Sequence, residues 1–309
     1  MGPDEAVLDG GDTYSIDESI TAYRIENGRR YHAYRDGVYW APNDDRQNEE
    51  LEVAHNKFRI LLDGRLHLAP IAHDIERVLD VGTGTGIWAI EMADEYPKAA
   101  VLGIDLSPTQ PSLVPPNCSF EIDDARDCWT FPRDHFDFIH IRNLYGSISD
   151  WPALLEQVYN HLKPGGWFEH IEFGIDLKSD DDSIPPDSCL LHFVKLLKEA
   201  GDQIGQPWDI SNNMLRNIEE AGFVNVVDHV YQDPVGPWAA DPKLEELGRW
   251  SLLEFEIGLE GFALAMLTRV LKWSTAEVQV FLAHIRAELD DRSIHSYHDI
   301  RIVYCQKPL

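Results

Sequence analysis

The chain has 309 residues, of which 44% are hydrophobic and 26% charged, a balance typical of folded globular proteins and not of disordered ones. Its formal net charge of −28, with no Lys/Arg-rich run to offset it, disfavours nucleic acid and anionic membrane surfaces as partners. Because it also lacks a membrane-length apolar run, a basic and apolar leader, and metal-ligand spacing among its four cysteines, we expect a soluble, metal-free protein of the cytosol or nucleus.

Residues 1–70 are predicted to form an N-terminal extension and cap. An aromatic and arginine-rich cluster occupies residues 29–40 and includes Arg30 and Tyr31. A helix is predicted to begin near Asn43-Asp44-Asp45 and to end at residue 62, before Asp63-Gly64.

From residue 77 onward, strand and helix patterns alternate, which is typical of a parallel sheet with crossover helices. The predicted strands are residues 77–81, 100–105, 119–122, 136–141, 167–173, 223–231 and 300–305. The predicted helices are residues 87–96, 151–162, 188–203 and 211–221, and a loop is expected over 175–186. The result is a Rossmann-like α/β fold with a mostly parallel seven-stranded sheet and helices on both faces. We divide it into a cofactor-binding core (71–236), a helical insertion or lid (237–296) and a final core strand (297–309).

The turn Gly82-Thr83-Gly84-Thr85-Gly86 joins the first of these core strands to a helix. Glycines at such a turn let the backbone approach a ligand closely. Asp105 closes the next strand, where a carboxylate can accept hydrogen bonds from both hydroxyls of a ribose. The spacing is G-x-G-x-G and differs from the G-x-G-x-x-G of dinucleotide folds, so the pattern predicts an adenosine cofactor and makes NAD the weaker candidate.

These segments resemble the motifs of class I S-adenosylmethionine (SAM)-dependent methyltransferases. Residues 78–90 resemble the first motif, residues 102–107 the second, and Lys163-Pro164-Gly165-Gly166 the turn before the fifth strand. The resemblance extends over residues 14–309 to the fungal LaeA-like group, also called TAM-domain methyltransferases. The segments that carry it are residues 27–35, 42–44, 113–118, 139–142, 146–148 and 150–151.

The resemblance implies SAM as the cofactor and a set of contacts to it. Asp80 and the turn residues Gly82, Thr83, Gly84 and Gly86 would surround the methionine end. Asp105 would hold the ribose, with Leu106 beside the adenine. Asp124-Ala125 matches the position that often holds the adenine amine, and Asp123 is an adjacent alternative.

Open parallel sheets bind ligands beyond the carboxyl ends of their strands, which directs attention to two pairs of polar residues. His140 shares a strand face with Arg142, and His170 shares one with Glu172. We predict His170 and Glu172, then His140, as candidate general bases, and Arg142 as a cofactor contact. The alternative for each is a hydrogen-bonded structural pair or a cofactor contact.

The cap and the insertion suggest where a substrate would bind. The cluster that includes Arg30, Tyr31 and Tyr39 would fold over the cofactor as a cap, with its arginines at the methionine carboxylate, unless the aromatics only pack the cap onto the sheet. Large apolar residues of the insertion would line an apolar acceptor pocket, or else form core: Trp238, Trp250, Phe255, Phe262, Met266 and Trp273. The leading hypothesis is methyl transfer from SAM to a small, largely apolar secondary-metabolite-like acceptor. The alternatives are a LaeA-like regulator acting through protein partners and a non-methylating reaction on the same fold.

Overall fold

The computed structural model describes residues 20, 22–35, 37 and 39–309. The first part of the predicted extension, residues 1–19, lies outside the described residues, as do two positions of the aromatic and arginine-rich cluster, 36 and 38. Within the described ranges, no helix combines the length and the apolar composition needed to cross a bilayer.

The N-terminal segment begins with a hairpin that the sequence pattern did not predict. Strands β1 (Arg24–Glu26) and β2 (Arg29–Tyr31) pair in antiparallel fashion around Asn27-Gly28, whose φ angles of +51° and +80° suit a tight hairpin turn. Helix α1 (Asp45–Leu61) follows, close to its predicted bounds. Its N-cap Asp44 accepts the backbone N–H of Gln47 and a bidentate bond from Arg29 at 2.6 and 2.7 Å, which ties the hairpin to the helix.

The core is the predicted seven-stranded sheet. Its strands are β3 (Arg77–Val81), β4 (Ala100–Asp105), β5 (Cys118–Ile122), β6 (Phe136–Arg142), β7 (Leu162–Phe173), β8 (Val224–Pro234) and β9 (Tyr297–Gln306). They lie in the order β5-β4-β3-β6-β7-β9-β8, and β9 runs antiparallel to both of its neighbours. The strand order reverses at β3, so a crevice forms at the carboxyl ends of β3 and β6, where open sheets bind ligands.

Helices cover both faces of the sheet because the central strands are apolar on both sides. Helix α2 (Ile87–Glu95) packs on one face, against Val78 and Phe138. Helices α3 (Trp151–His161) and α5 (Met214–Glu220) pack on the other, against the next residue of each strand, Leu79 and Ile139. Alternate residues of one strand therefore serve two separate cores.

The insertion joins the cap in a single apolar core. It contains α6 (Pro242–Ala265), a π-helical turn (Met266–Val270) and α7 (Thr275–Leu289), and it packs on α4 (Cys189–Ile204). Tyr31 and Trp40 of the N-terminal segment are buried in the same cluster. Cap, α4 and insertion thus cover one end of the sheet together.

Several element bounds differ from the predicted ones. β7 begins at Leu162, not residue 167, because the backbone on both sides of the Gly165-Gly166 turn hydrogen-bonds to neighbouring segments of the sheet. β8 extends to Pro234 and β9 covers Tyr297–Gln306, since their antiparallel pairing continues past the apolar stretches. A 3₁₀ turn (Ile210–Asn212) replaces the first part of the helix expected over 211–221.

Candidate active site

A cavity with about 920 Å³ of empty volume lies at the carboxyl ends of β3, β4 and β6. We call it the turn cavity, because the glycine-rich turn, residues 82–85, forms one wall. The other walls come from residues 104–106, 123–126 and 142–144, and from Tyr39, Leu51 and Ala54 of the N-terminal segment. The predicted cofactor residues that line it are Gly82, Thr83, Gly84, Asp105, Leu106, Asp123, Asp124, Ala125 and Arg142.

The glycine-rich turn needs glycine for both conformation and space. Gly82 and Gly86 have φ angles of +72° and +80°, in the left-handed region. A Cβ on Gly82 would lie 2.5 Å from Leu144 Cδ2, and one on Gly86 would lie 2.4 Å from Phe120 Cζ. Gly86 itself does not line the turn cavity; it is the residue from which α2 begins. The need for glycine at residue 86 is therefore explained by its close packing against Phe120.

Asp105 offers a fixed carboxylate to the turn cavity. It accepts the backbone N–H groups of Gly84 at 2.8 Å and Ser107 at 2.9 Å, which hold the turn against the end of β4. Burial raises the pKa of Asp105 to about 6, although these hydrogen bonds oppose the shift. An ionised carboxylate has about four acceptor sites, so these backbone bonds leave acceptor capacity for the hydroxyl groups of a ligand.

Asp80 lies beneath the turn and not in the cavity wall. Its carboxylate accepts a bond from Thr83 Oγ1 at 2.6 Å and contacts His140 Nδ1 at 2.8 Å. The His140 ring is buried and stacks on Trp88 with centroids 3.8 Å apart and planes 5° apart. Burial lowers the pKa of His140 to about 4. Both residues therefore anchor the turn from below, which differs from the predicted direct contact of Asp80 and the predicted base role of His140.

The loop after β5 holds two adjacent carboxylates. Asp124 accepts bonds from Arg126 at 2.8 and 2.6 Å and from Arg35 of the N-terminal segment at 3.0 Å. Burial alone would raise the pKa of Asp124, but these hydrogen bonds and charges bring it below its usual value. Asp123 accepts the backbone N–H of Asp124, and burial raises the pKa of the Asp123 carboxyl. Asp123 is thus the carboxylate without an arginine partner among the described contacts.

A second cavity, of about 580 Å³, lies beyond the end of β7 under α4 and α6. We call it the apolar cavity, since its walls are largely aliphatic and aromatic; examples are Phe173, Phe193, Leu197, Trp208, Phe255 and Phe262. Tyr145 lines the apolar cavity and the preceding residue, Leu144, lines the turn cavity. The two cavities therefore flank the same loop. Of the large apolar insertion residues predicted to line such a pocket, Phe255 and Phe262 do, whereas Trp238, Trp250, Met266 and Trp273 are not in its walls.

Comparison with known proteins identifies the family that this geometry suggests. A family model described as a methyltransferase domain matches residues 53–226, more than half of the chain. The chain belongs to this family. Methyltransferase pytC of Aspergillus terreus is 40% identical over 95% of this chain and 91% of its own length. The secondary metabolism regulator LAE1 of Cochliobolus heterostrophus is 40% identical over 92% of this chain and 94% of its own length. The protein-methionine methyltransferase laeA of Emericella nidulans is 34% identical over 96% of this chain and 79% of its own length.

These relatives place the chain in the LaeA-like group of class I SAM-dependent methyltransferases, and SAM is its cofactor. The turn cavity fits SAM, because it supplies acceptors for a ribose at Asp105 and a cation, Arg142, for a carboxylate. Asn143 adds an independent observation: its φ is +55°, and its buried Oδ1 has no hydrogen-bond partner within the described part of the chain. An unpaired acceptor at this wall suits the ammonium group of the methionine moiety.

Two cap residues predicted to contact the cofactor, Arg30 and Tyr31, do not line the turn cavity. Arg30 donates to the side chain and the main-chain carbonyl of Asn43 and lies over the Tyr23 ring. Tyr31 is buried, with the Arg269 guanidinium 4.3 Å from its ring centroid. Both residues hold the hairpin in place, which matches the alternative of packing the cap.

Arg142 occupies the position predicted for a cofactor contact. Its guanidinium lies 4.9 Å from the centroid of the Phe58 ring and 3.2 Å from His55 Nδ1, both on α1. His55 Nε2 in turn lies 3.2 Å from Glu91 Oε2. Burial lowers the pKa of His55 to about 3, so its ring is neutral and does not compete for an anion.

His170 and Glu172 lie outside both cavities. Glu172 is completely buried, and its carboxylate accepts the backbone N–H groups of Leu144 at 3.0 Å and Tyr145 at 3.2 Å. His170 Nε2 lies 2.9 Å from the same carboxylate, and its ring stacks on Trp151. The pair therefore fixes the loop that the two cavities flank. This geometry matches the hydrogen-bonded structural pair that was the alternative to a general base.

Sequence reasoning missed several lining residues. Leu51, Ala54 and Arg126 line the turn cavity, but their contribution depends on how the cap and the β5 loop fold over the crevice, whereas Tyr39, which also lines it, belongs to the cluster expected to fold over the cofactor. In the apolar cavity, the polar residues Glu254 and His298 were also missed. The position of His298 could have been predicted from the sequence. It lies at the start of an antiparallel final strand, and that end of the strand lies at the same sheet edge as the carboxyl ends of its neighbours, where ligands bind.

Proposed function

We propose that this chain transfers the methyl group of SAM to a small, largely apolar acceptor that binds in the apolar cavity. The observation that carries the proposal is that Leu144 lines the turn cavity and Tyr145, the next residue, lines the apolar cavity. A cofactor in the turn cavity and an apolar molecule in the neighbouring one would face each other across this loop. Clefts lined by aliphatic and aromatic side chains with a few polar groups are typical small-molecule sites.

The cofactor would be held along its whole length by residues of the turn cavity. Asp105 would accept bonds from the ribose hydroxyls, and Asp123 would accept a bond from the adenine amine. Arg142 would pair with the methionine carboxylate, and Asn143 Oδ1 would accept from the ammonium group. Bound SAM supplies an electrophilic methyl group on a sulfonium.

The protein's contribution to the reaction would be mainly proximity and orientation. The rigid walls of the apolar cavity would hold the acceptor's nucleophilic atom in line with the methyl group, which removes much of the entropic barrier of a bimolecular reaction. The same aromatic walls exclude water, which would otherwise solvate the nucleophile.

Labelled SAM tests the proposal. Incubated with the protein and a metabolite extract of its source organism, it should yield a labelled small molecule. Val194→Trp, which fills part of the apolar cavity from α4, should abolish this product and leave SAM binding unchanged. Leu253→Trp is the matched control, because Leu253 is 38% exposed on α6 and does not line the cavity. SAM binding without any labelled metabolite would contradict the proposal.

A second candidate is methylation of a protein within a regulatory complex. It is favoured by the relatives, two of which are described as a secondary metabolism regulator and a protein-methionine methyltransferase. The same labelling reaction separates the two candidates when nuclear extract is added. A labelled protein band that persists in Val194→Trp would support the second candidate, since a protein side chain need not fill the whole apolar cavity.

A further inference from the structure

Two polar side chains, His298 and Glu254, lie among the aliphatic and aromatic walls of the apolar cavity. Both are buried, with 3% and 8% of their surface exposed. Neither lines the turn cavity, so cofactor binding does not explain them. Buried polar groups are expensive unless they find partners, which makes their remaining hydrogen-bonding capacity informative.

The contact of His298 with Gly174 assigns the tautomer of its ring, and the backbone of Asp176 also hydrogen-bonds this histidine. Nδ1 lies 3.0 Å from the carbonyl oxygen of Gly174, and since a carbonyl only accepts, Nδ1 must carry the proton. Burial lowers the pKa of His298 to about 4, so the ring is neutral at pH 7. Its Nε2 therefore carries a lone pair and acts as a hydrogen-bond acceptor.

The ring of His298 is held rigidly by two residues of the cavity wall. Its centroid lies 4.4 Å from that of Phe173 and 5.6 Å from that of Phe255. This packing on both sides leaves the ring little freedom to rotate, so its acceptor nitrogen has a fixed direction. A fixed acceptor in an apolar surrounding discriminates strongly by hydrogen bonding.

Glu254 adds a second hydrogen-bond acceptor, and it belongs to a buried cluster of charges. Lys57 Nζ lies 2.6 Å from Glu254 Oε2 and 2.7 Å from Asp233 Oδ2, and all three groups are buried. The same ammonium lies 5.5 Å from the centroid of the Phe173 ring in the cavity wall. The two carboxylates outnumber the ammonium, so this cluster does not itself repel a cation; the apolar walls of the cavity instead make the burial of any charged ligand costly.

We propose that His298 Nε2 determines which substrate the apolar cavity binds. It accepts a hydrogen bond from a hydroxyl group on a neutral, otherwise apolar ring system, and Glu254 offers a second hydrogen-bond acceptor. The proposal rests on the proposed function, since it takes the apolar cavity as the acceptor site. It adds the substrate class, a neutral hydroxylated aromatic compound, and it names the residue that recognises the hydroxyl group.

The test compares two probes, 2-naphthol and 2-methoxynaphthalene, which share a ring system and differ in the hydroxyl donor. Calorimetry on the full chain saturated with S-adenosylhomocysteine should show that 2-naphthol binds about 2- to 10-fold more tightly, the factor expected of one neutral hydrogen bond. His298→Phe keeps an aromatic ring between Phe173 and Phe255 and should bring the ratio close to one.

Two further variants make the test robust to misfolding. His298→Asn retains a donor for Gly174 but is too short to present the same acceptor, so it should also lose the preference. His192→Phe is the matched control, because His192 is an exposed histidine on α4, packs edge-on against Phe281 and does not line the cavity. It should keep the wild-type ratio. Each variant is checked by its melting temperature and by its affinity for S-adenosylhomocysteine.

The possible failures are distinguishable. If wild type binds both probes equally, or if both His298 variants keep the preference, His298 does not recognise the hydroxyl group and the inference is overturned while the proposed function stands. If wild type retains S-adenosylhomocysteine but binds neither probe, the apolar cavity is not a small-molecule site, and the inference and the proposed function are overturned together.

Discussion

Replacing Asp105 tests the assignment of the turn cavity most directly. Asp105→Ala removes the carboxylate that would accept two ribose hydroxyl groups. Hydrogen bonds to a charged group contribute about 1.5–3 kcal/mol each, so two bonds at the lower end amount to about 3 kcal/mol. Since about 1.4 kcal/mol corresponds to a factor of ten, the Kd for S-adenosylhomocysteine should rise at least about 100-fold in calorimetry at pH 7.5.

The pH dependence of the same affinity gives an independent readout. Because the pKa of Asp105 is raised to about 6, its carboxylate becomes protonated in the free protein as the pH falls through that value. A protonated carboxyl is a weaker acceptor, so wild-type affinity should fall below pH 6, and Asp105→Ala should lack this component. Asp94→Ala, an exposed aspartate of α2, is the control. A folded Asp105→Ala protein with less than about a threefold change in Kd would refute the ribose assignment.

Three further predictions concern stability, each measured by urea unfolding. Gly86→Ala should lose about 1–3 kcal/mol more unfolding free energy than Gly64→Ala. Both glycines have φ near +80°, but only a Cβ on Gly86 would clash, with Phe120. Equal losses of stability in the two variants would exclude the clash. Lys57→Met leaves two buried carboxylates unpaired and should lose about 3–5 kcal/mol, and a loss below 1 kcal/mol would contradict the buried pairing. His140 has a pKa of about 4 in the fold against 6.5 when exposed, so the unfolded chain binds its proton first as the pH falls. Between pH 7 and 5 this removes about 2 kcal/mol of stability, a loss that His140→Gln should be spared.

The sheet was predictable because its signals are local. Residues such as Val78 and Leu79 belong to an apolar run buried on both faces, and the glycine-rich turn marks where the first core strand ends. The β1–β2 hairpin was missed, since its strands are only three residues long and one of them is largely exposed. Alternation over three residues is too short to distinguish a strand from a loop.

The site residues likewise include some that local sequence predicts and some whose roles depend on tertiary packing. The turn and Asp105 follow from backbone requirements that sequence expresses directly. The shared faces of His140 with Arg142 and of His170 with Glu172 follow from strand alternation, but their roles do not. Those roles depend on groups brought in by tertiary packing, such as the Trp88 ring under His140 and the backbone N–H of Leu144 at Glu172.

The position of β9 has a consequence for how the protein folds. This strand lies between β7 and β8, and the whole helical insertion separates it from them along the chain. Its pairing with Phe173 and neighbouring residues closes a very long loop, and contacts of such high sequence separation form slowly. Until they form, β7 and β8 each present an open edge to other chains. The same late event brings His298 into the apolar cavity, so a complete apolar cavity and a β7 strand paired on both sides should arise in one kinetic step.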